Sequence, residues 1–460
     1  MKRLAWVTFV TLVAGTARAD DWPQWLGPKR DGVWREGGIV EKFPPGGPPV
    51  VWRVPVGGGY AGPSVAGGRV YVADYLTGEG VKLPESGFDR GRGTGRERVL
   101  CLDEKTGKEL WSDGYEVAYT ISYAAGPRCS PTVDAGRAYF LGAMGDLRAY
   151  DAASGKPLWS KNFPKDYSAT VPVWGFAAHP LIDGDKLICL AGGSDDRLVI
   201  AFDKATGKEL WAAESCPGDF GYCPPMVYEF GGRRQLVIWH TRAVVGLDPE
   251  TGKRLWRVPF EVKAALTAPT PRKVGADGLF VTSFYNGSLF LKVGADAAEV
   301  VWKSKARGEY PEQTTDLSSI MPTPVIDGDH AYGVCSYGQL RCIEVTTGRR
   351  VWETMQATRG KRTPEKVAAE PTPAQSERWS NAFLTPLADG RTVIFNEQGD
   401  LILARLTPAG YEEVDRATVI EPTNPMAGGG RKVVWVHPAY ANGRVYVRND
   451  KELVCLDVAK

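Results

Sequence analysis

The sequence predicts an all-β protein assembled from repeated four-stranded blades, and three observations carry that prediction. One segment recurs: Asp203-Lys-Ala-Thr-Gly-Lys-Glu-Leu-Trp211 has close copies from Asp103 to Trp111, Asp151 to Trp159 and Asp248 to Trp256, and a variant from Glu344 to Trp352. Composition agrees, since 54 Gly, 33 Pro and 15 Trp among 460 residues suit short strands and tight turns better than long helices. The copies also stand in units of about 45 to 60 residues, close to the period of propeller blades. A repeat array folds as one body, so residues 50–460 are read as a single domain.

Taken in order, the chain opens with Lys2, Arg3, an apolar run from Leu4 and then Ala17-Arg18-Ala19, the layout of a signal peptide over residues 1–19 cut before Asp20. The apolar run is shorter than the roughly 20 residues that a membrane-crossing helix needs, and no transmembrane segment is expected. No Cys follows the cleavage point to carry a lipid anchor. The mature chain is expected to be exported, soluble, and periplasmic or extracellular. Residues 20–49, with Trp25, Trp34 and the run Phe43-Pro-Pro-Gly-Gly-Pro-Pro49, read as an irregular strap.

Each later unit has four strokes: a Pro followed by apolar residues (Pro131-Thr-Val), a second alternating strand (Ala138-Tyr-Phe-Leu), a third ending in an acid (Leu147-Arg-Ala-Tyr-Asp151), and a fourth that follows Thr/Ser-Gly-Lys and ends at Trp. Second strands start near Val70, Ala138, Leu187, Leu236, Leu279, Ala331, Thr392 and Val445, and third strands end near Asp103, Asp151, Asp203, Asp248, Val293, Glu344, Leu406 and Asp457. Fourth strands end at Trp111, Trp159, Trp211, Trp256, Trp302, Trp352 and Val414, one short of the other counts. Val50-Val51-Trp52 supplies the missing one. The prediction is an eight-bladed β-propeller of four-stranded antiparallel blades whose ring is closed by the N-terminal strand, which removes exposed sheet edges.

The motif has a physical reading. The Asp carboxylate accepts backbone N–H groups in the turn, and the Gly supplies positive φ. The Trp then packs between blades, burying on the order of 150 to 250 Å². Two places before the acid stands a small residue, Cys101, Ala149, Ala201, Gly246, Cys342 or Cys455, where a larger side chain would obstruct the indole. The cysteines at that place are therefore small buried fillers.

The spacing Ala-x-Asp-x-x-Thr-Gly-Lys-x-x-Trp resembles the tryptophan-docking motif of the pyrroloquinoline quinone (PQQ) propeller family, over about residues 50–457. Blade five (Val293 to Trp302) and blade seven (Leu406 to Val414) depart from it. The resemblance implies an eight-bladed ring in which Trp52, Trp111, Trp159, Trp211, Trp256, Trp302 and Trp352 are docking residues. It also implies one of two activities: that of a quinoprotein alcohol dehydrogenase, with PQQ and Ca²⁺ as cofactors, or that of a noncatalytic propeller of the BamB type.

The long segments all fall at second-to-third turns or at crossovers to the next blade: Ser112 to Ser130, Ser160 to His179, Ala212 to Pro224, Lys303 to Thr323, Glu353 to Thr385, and an insert from Tyr75 to Arg98. In a four-stranded blade these share one face, which is where binding is expected. The residue before the Pro of each first strand should crowd the channel mouth there, as Gly62, Ser130, His179, Thr323, Thr385 and His437 do in the clearest units. Arg128, Trp174, His179, Trp379, Trp435 and His437 are the ligand-binding candidates, since aromatic walls with convergent polar groups suit a flat or sugar-like ligand. The alternative is that the aromatics pack the loops together. No short spacing supports a metal site at the two histidines.

Cys216 and Cys223 in one rim loop are read either as a disulfide or as two free thiols, with Cys129 nearby. Arg90, Arg92, Arg96 and Arg98, and Arg359, Lys361 and Arg362, are read as a solvated lid diluted by Glu79, Glu85, Glu97, Glu365 and Glu370, or as a meeting point for an anionic partner.

A net charge of +2, from 56 basic and 54 acidic residues, gives no field for gathering nucleic acid. The sequence has no adjacent Cys-Cys pair and no Cys-x-x-Cys-His haem site, and no Glu/Asn/Asp calcium set matches residue by residue. The expectation is thus a monomeric, noncatalytic binding or scaffold module for a protein, peptide or glycan at the loop-rich face. The alternative is a PQQ-dependent dehydrogenase oxidising alcohols or sugars.

Overall fold

The structure, a computed structural model, describes residues 20–84, 87–91, 93–306, 308–359, 378–426 and 431–460. The expected signal peptide, together with Glu85, Arg92, Lys361, Arg362, Glu365 and Glu370 of the charged loops, lies outside the described residues. Eight four-stranded antiparallel sheets follow one another around a central channel, with a two-stranded ribbon (Asn424–Pro425 and Lys432–Val433) on the rim. Blade one is Ser64–Ala66, Arg69–Thr77, Gly93–Asp103 and Glu109–Tyr119, in that order from channel to circumference. Blades two to seven repeat this order. Blade eight is completed as the strand counts predict: Val50–Pro55 pairs antiparallel with Glu452–Asp457, placing Trp52 opposite Cys455.

The motif works between blades as well as within them. Asp103, Asp151 and Asp203 each accept the N–H and the hydroxyl of the Thr or Ser three residues on, and these bonds hold the three carboxylates below the usual range. The small residue lies directly across from the Trp of its own blade, as in Ala149 and Trp159 or Ala201 and Trp211. Each indole then reaches the next blade. Trp52, Trp111, Trp159 and Trp302 donate to the carbonyls of Glu104, Ala152, Lys204 and Val345, the residue after the next acid in every case. Gly207 shows how closely the indole fits: its φ is +71° and a Cβ there would stand 2.7 Å from the Trp159 ring.

Where a neighbour lacks the motif, the contact is rebuilt. Trp256 of blade four faces blade five and donates instead to Gln235 Oε1 of its own blade at 2.6 Å, while Gln235 Nε2 crosses to the carbonyls of Gly294 and Ala295.

Two sequence expectations need correction, and one left open, the state of Cys216 and Cys223, is decided for free thiols. Fourth strands of the motif blades do not end at Trp but run on past it, as Glu109–Tyr119 does, because the Trp is their third residue; Ala298–Lys303 of blade five, with Trp302 next to last, does end close to its Trp. Arg96 and Arg98 are not loop residues: the insert begins as an extended hairpin, and Arg98 pairs with buried Asp74 at 2.7 Å. Cys216 and Cys223 are free thiols, since the Cys216 sulfur faces Thr241 Oγ1 at 3.2 Å whereas Cys223 is buried against the carbonyl of Pro269. Cys129 is likewise free and buried.

The first part of the strap, to Trp34, fills the channel from the tight-turn end, and the rest runs outward to the fourth strand of blade seven, where the Phe43 N–H donates to Asp415. Trp22 bridges Val65 in the first strand of blade one, the Trp25 N–H donates to Thr270 of blade five, and Trp34 N–H bonds the carbonyl of Pro386 in blade seven. Arg30, buried, donates to the carbonyls of His179, Pro180 and Pro225.

Candidate functional site

Above the plugged channel, on the loop-rich face, opens a cavity of about 350 Å³. All eight crossovers between blades reach it: Tyr60, Tyr123 with Arg128, Trp174, Tyr222, Leu266, Met321, Trp379 and Trp435 each come from a different one. The volume sits at the lower end of small-ligand pockets.

Ring contacts set the shape of the wall. Tyr123 meets Trp435 at 5.6 Å between centroids, Trp174 meets Tyr222 at 5.4 Å, and Phe88 from the blade-one insert stands edge-on to Trp379 at 5.2 Å. The Trp435 N–H is fixed by Glu397 at 2.8 Å, and burial raises the pKa of that carboxyl even though Arg431 lies beside it. Two guanidiniums complete the wall. Arg378 lies over the Trp379 ring and pairs with Glu309 at 2.6 Å. Arg128 lies over Tyr60 and donates to the carbonyls of Trp174, Gly126, Ser122 and Tyr123.

The structure thus brings Arg128, Trp174, Trp379 and Trp435 together. His179 and His437 lie deeper, because the residue immediately before the Pro of a first strand already faces into the channel. There Trp25 stacks on His179 at 4.5 Å and meets His437 edge-on at 4.3 Å. His437 Nε2 is 2.8 Å from Ser130 Oγ, and neither nitrogen of His179 has a partner among the described residues. Burial holds His179 well below its usual pKa and His437 down at about 3, so both are neutral imidazoles.

Sequence reading missed Tyr60, Phe88, Tyr123, Tyr222, Tyr285 and Arg378 in the wall. The available signal was their position on crossovers, on the insert or, for Tyr285, in the second-to-third turn of blade five, but they follow no shared spacing. Among the described residues no group of three or more His, Cys, Asp or Glu is gathered that could hold a metal ion, and no helix is long and apolar enough to cross a membrane.

The family model described as "Outer membrane protein assembly factor BamB" matches residues 95–354 and 240–460. Outer membrane protein assembly factor BamB of Burkholderia pseudomallei is 25% identical over 247 residues, 51% of this chain and 58% of that protein. Quinohemoprotein alcohol dehydrogenase ADH IIB of Pseudomonas putida is 33% identical over 144 residues, 29% of this chain and 19% of that protein. The chain therefore spans less than two thirds of the length of either relative. Among solved structures, BamB from Moraxella catarrhalis superposes with a TM-score of 0.51 at 15% identity, covering 83% of this chain and 98% of that one. A quinohemoprotein alcohol dehydrogenase from Pseudomonas putida gives 0.57 at 12% identity, covering 95% and 80%. These two likenesses bear on the fold alone.

Proposed function

The chain belongs to the PQQ-like propeller family whose model is described as outer membrane protein assembly factor BamB, and on that premise we propose that it is an exported, noncatalytic binding or scaffold module acting through its loop-rich face. The observation that carries this reading is the cavity to which all eight crossovers contribute, an aromatic wall with no acid–base set among its described residues. Its neighbouring histidines are packed against the strap and turned away from it. A protein, peptide or glycan segment is the class of partner such a face serves.

The dehydrogenase alternative asks for a quinone with its calcium, and the wall does not fit that pair. Calcium takes six to eight oxygen ligands, chiefly carboxylates and carbonyls, whereas among the described residues no Asp or Glu lines this cavity. Capture experiments test the proposal. The protein, cross-linked through a photoreactive group at Val173 on the loop-rich rim, should trap a cell-envelope partner that is lost when the group is moved to Leu158 on the circumference. PQQ and Ca²⁺ added together should give no dye reduction with alcohols or sugars; turnover would sink the noncatalytic reading.

A further inference from the structure

We infer that the central cavity is a recognition site for an aromatic group bearing a carboxylate, with Arg128 as the anion's partner. The inference rests on the reading of the loop-rich face as the binding face and names the chemistry recognised at its centre.

Charge is the first ground. Arg128 is 8% exposed, and among the described residues no carboxylate oxygen lies within ion-pairing distance of it. Its guanidinium is stabilised only by four backbone carbonyls and the face of Tyr60, at 5.0 Å. A buried cation without a counter-ion is costly, and those bonds occupy four of its five N–H groups, leaving one on Nη1. The other guanidinium of the wall, Arg378, is neutralised by Glu309, and Lys263 lies over Tyr285 at 4.9 Å. Among the described residues that line the cavity, the two charged side chains, Arg128 and Arg378, are both cationic.

Donor and acceptor balance is the second ground. Two further donors of the wall, the Trp174 indole N–H and the Arg378 Nε–H, are buried without an acceptor among the described residues. The tyrosine hydroxyls nearest them are engaged: Tyr222 donates to Asp219, and Tyr285 accepts from Arg378. Among the described residues these two donors thus meet no acceptor, and an occupant can supply one. Shape is the third ground, because planar rings on several sides of about 350 Å³ accommodate one flat ring system and little more. An aromatic ring with an anionic, acceptor-bearing group on it or a few bonds away meets all three conditions. That chemistry has two sources, a free aromatic acid or the C-terminal aromatic residue of a peptide. Neither needs a metal, which distinguishes the site from one for a calcium-held quinone.

Quenching of tryptophan fluorescence in the full chain tests the inference with four probes: naphthalene-2-carboxylate, its primary amide, and acetyl-Ala-Ala-Phe with a free or an amidated C-terminus. The acids should bind saturably and at least about tenfold more tightly than their amides, the fold-change expected of one charge-assisted hydrogen bond in a desolvated site. Arg128→Met should erase the preference for acid while leaving amide binding in place. Should that variant not fold, Trp174→Phe, which keeps the ring and removes the N–H, should weaken the acids several-fold more than the amides. A tighter peptide acid assigns the site to chain termini, and a tighter naphthoate assigns it to free acids. Equal affinity of acid and amide, or binding only of PQQ and only with calcium, overturns the inference. If the acid preference fails while partner capture at Val173 persists, the fault lies with the ligand chemistry alone; loss of both removes the binding-face reading as well.

Discussion

Gly207 condenses the repeat into one position. A Cβ there meets two demands, a φ of +71° and a distance of 2.7 Å from the Trp159 ring, whereas Gly184, with φ +60°, has open space around it. Gly184→Ala should cost only the backbone term, about 1 kcal/mol. Gly207→Ala adds overpacking against a neighbouring blade, for a total of about 2 to 4 kcal/mol. Urea unfolding of the two variants side by side separates the terms, and equal losses would show that the indole is not docked as described. The histidines give the residue scale its pH dependence. A histidine buried neutral, with its folded pKa below the unfolded value near 6.5, contributes no penalty above that pH. As pH falls below it the unfolded chain takes up a proton that the folded chain refuses, and stability declines until the folded pKa, about 3 for His437, is reached. The slope is at most about 1.4 kcal/mol per pH unit for each such group. Comparing wild type with His437→Gln in thermal melts from pH 7 to pH 4 isolates this contribution, and the variant should show the shallower decline.

Among the elements, Val50–Pro55 carries the most consequence for its size. It completes blade eight through pairing with Glu452–Asp457, and Trp52 then donates to Glu104 of blade one, so one short strand ties the two ends of the ring. Deleting residues 50–53 removes a buried indole, itself worth about 3 to 5 kcal/mol, together with the ladder. The melting temperature should fall sharply, and an unchanged melt would reject closure by this strand. This element was legible in the sequence because one count of strands fell short and the motif named its partner. Strand ends were less legible: Glu109–Tyr119 runs eight residues past Trp111, since what extends it is pairing with the equally long third strand Gly93–Asp103, which no local pattern announces.

For the whole molecule the limit of sequence reading has the same cause on a larger scale. The blades could be read because each is local and repeated; the cavity could not, because eight crossovers far apart in the chain each give it one to three residues. Arg128, Trp174, Trp379 and Trp435 were reachable from their place before a first strand, while His179 and His437, a few residues further on, pass below the cavity onto Trp25. The strap itself could be recognised only as irregular, since its partners are spread over blades one, two, three, four, five, seven and eight. That spread makes the strap a plug whose loss should not break the ring. Trp25 is 6% exposed and its N–H is held by Thr270, so Trp25→Ala should cost about 3 to 5 kcal/mol if the site stays closed. Blade pairing does not pass through it, however, and every inter-blade indole remains in place. The strap should therefore loosen before the blades do: amide exchange should rise at residues 20–40 and along the channel-lining first strands, while the outer strands keep their protection. Uniform loss of protection across all blades would instead make the strap an integral part of one cooperative core.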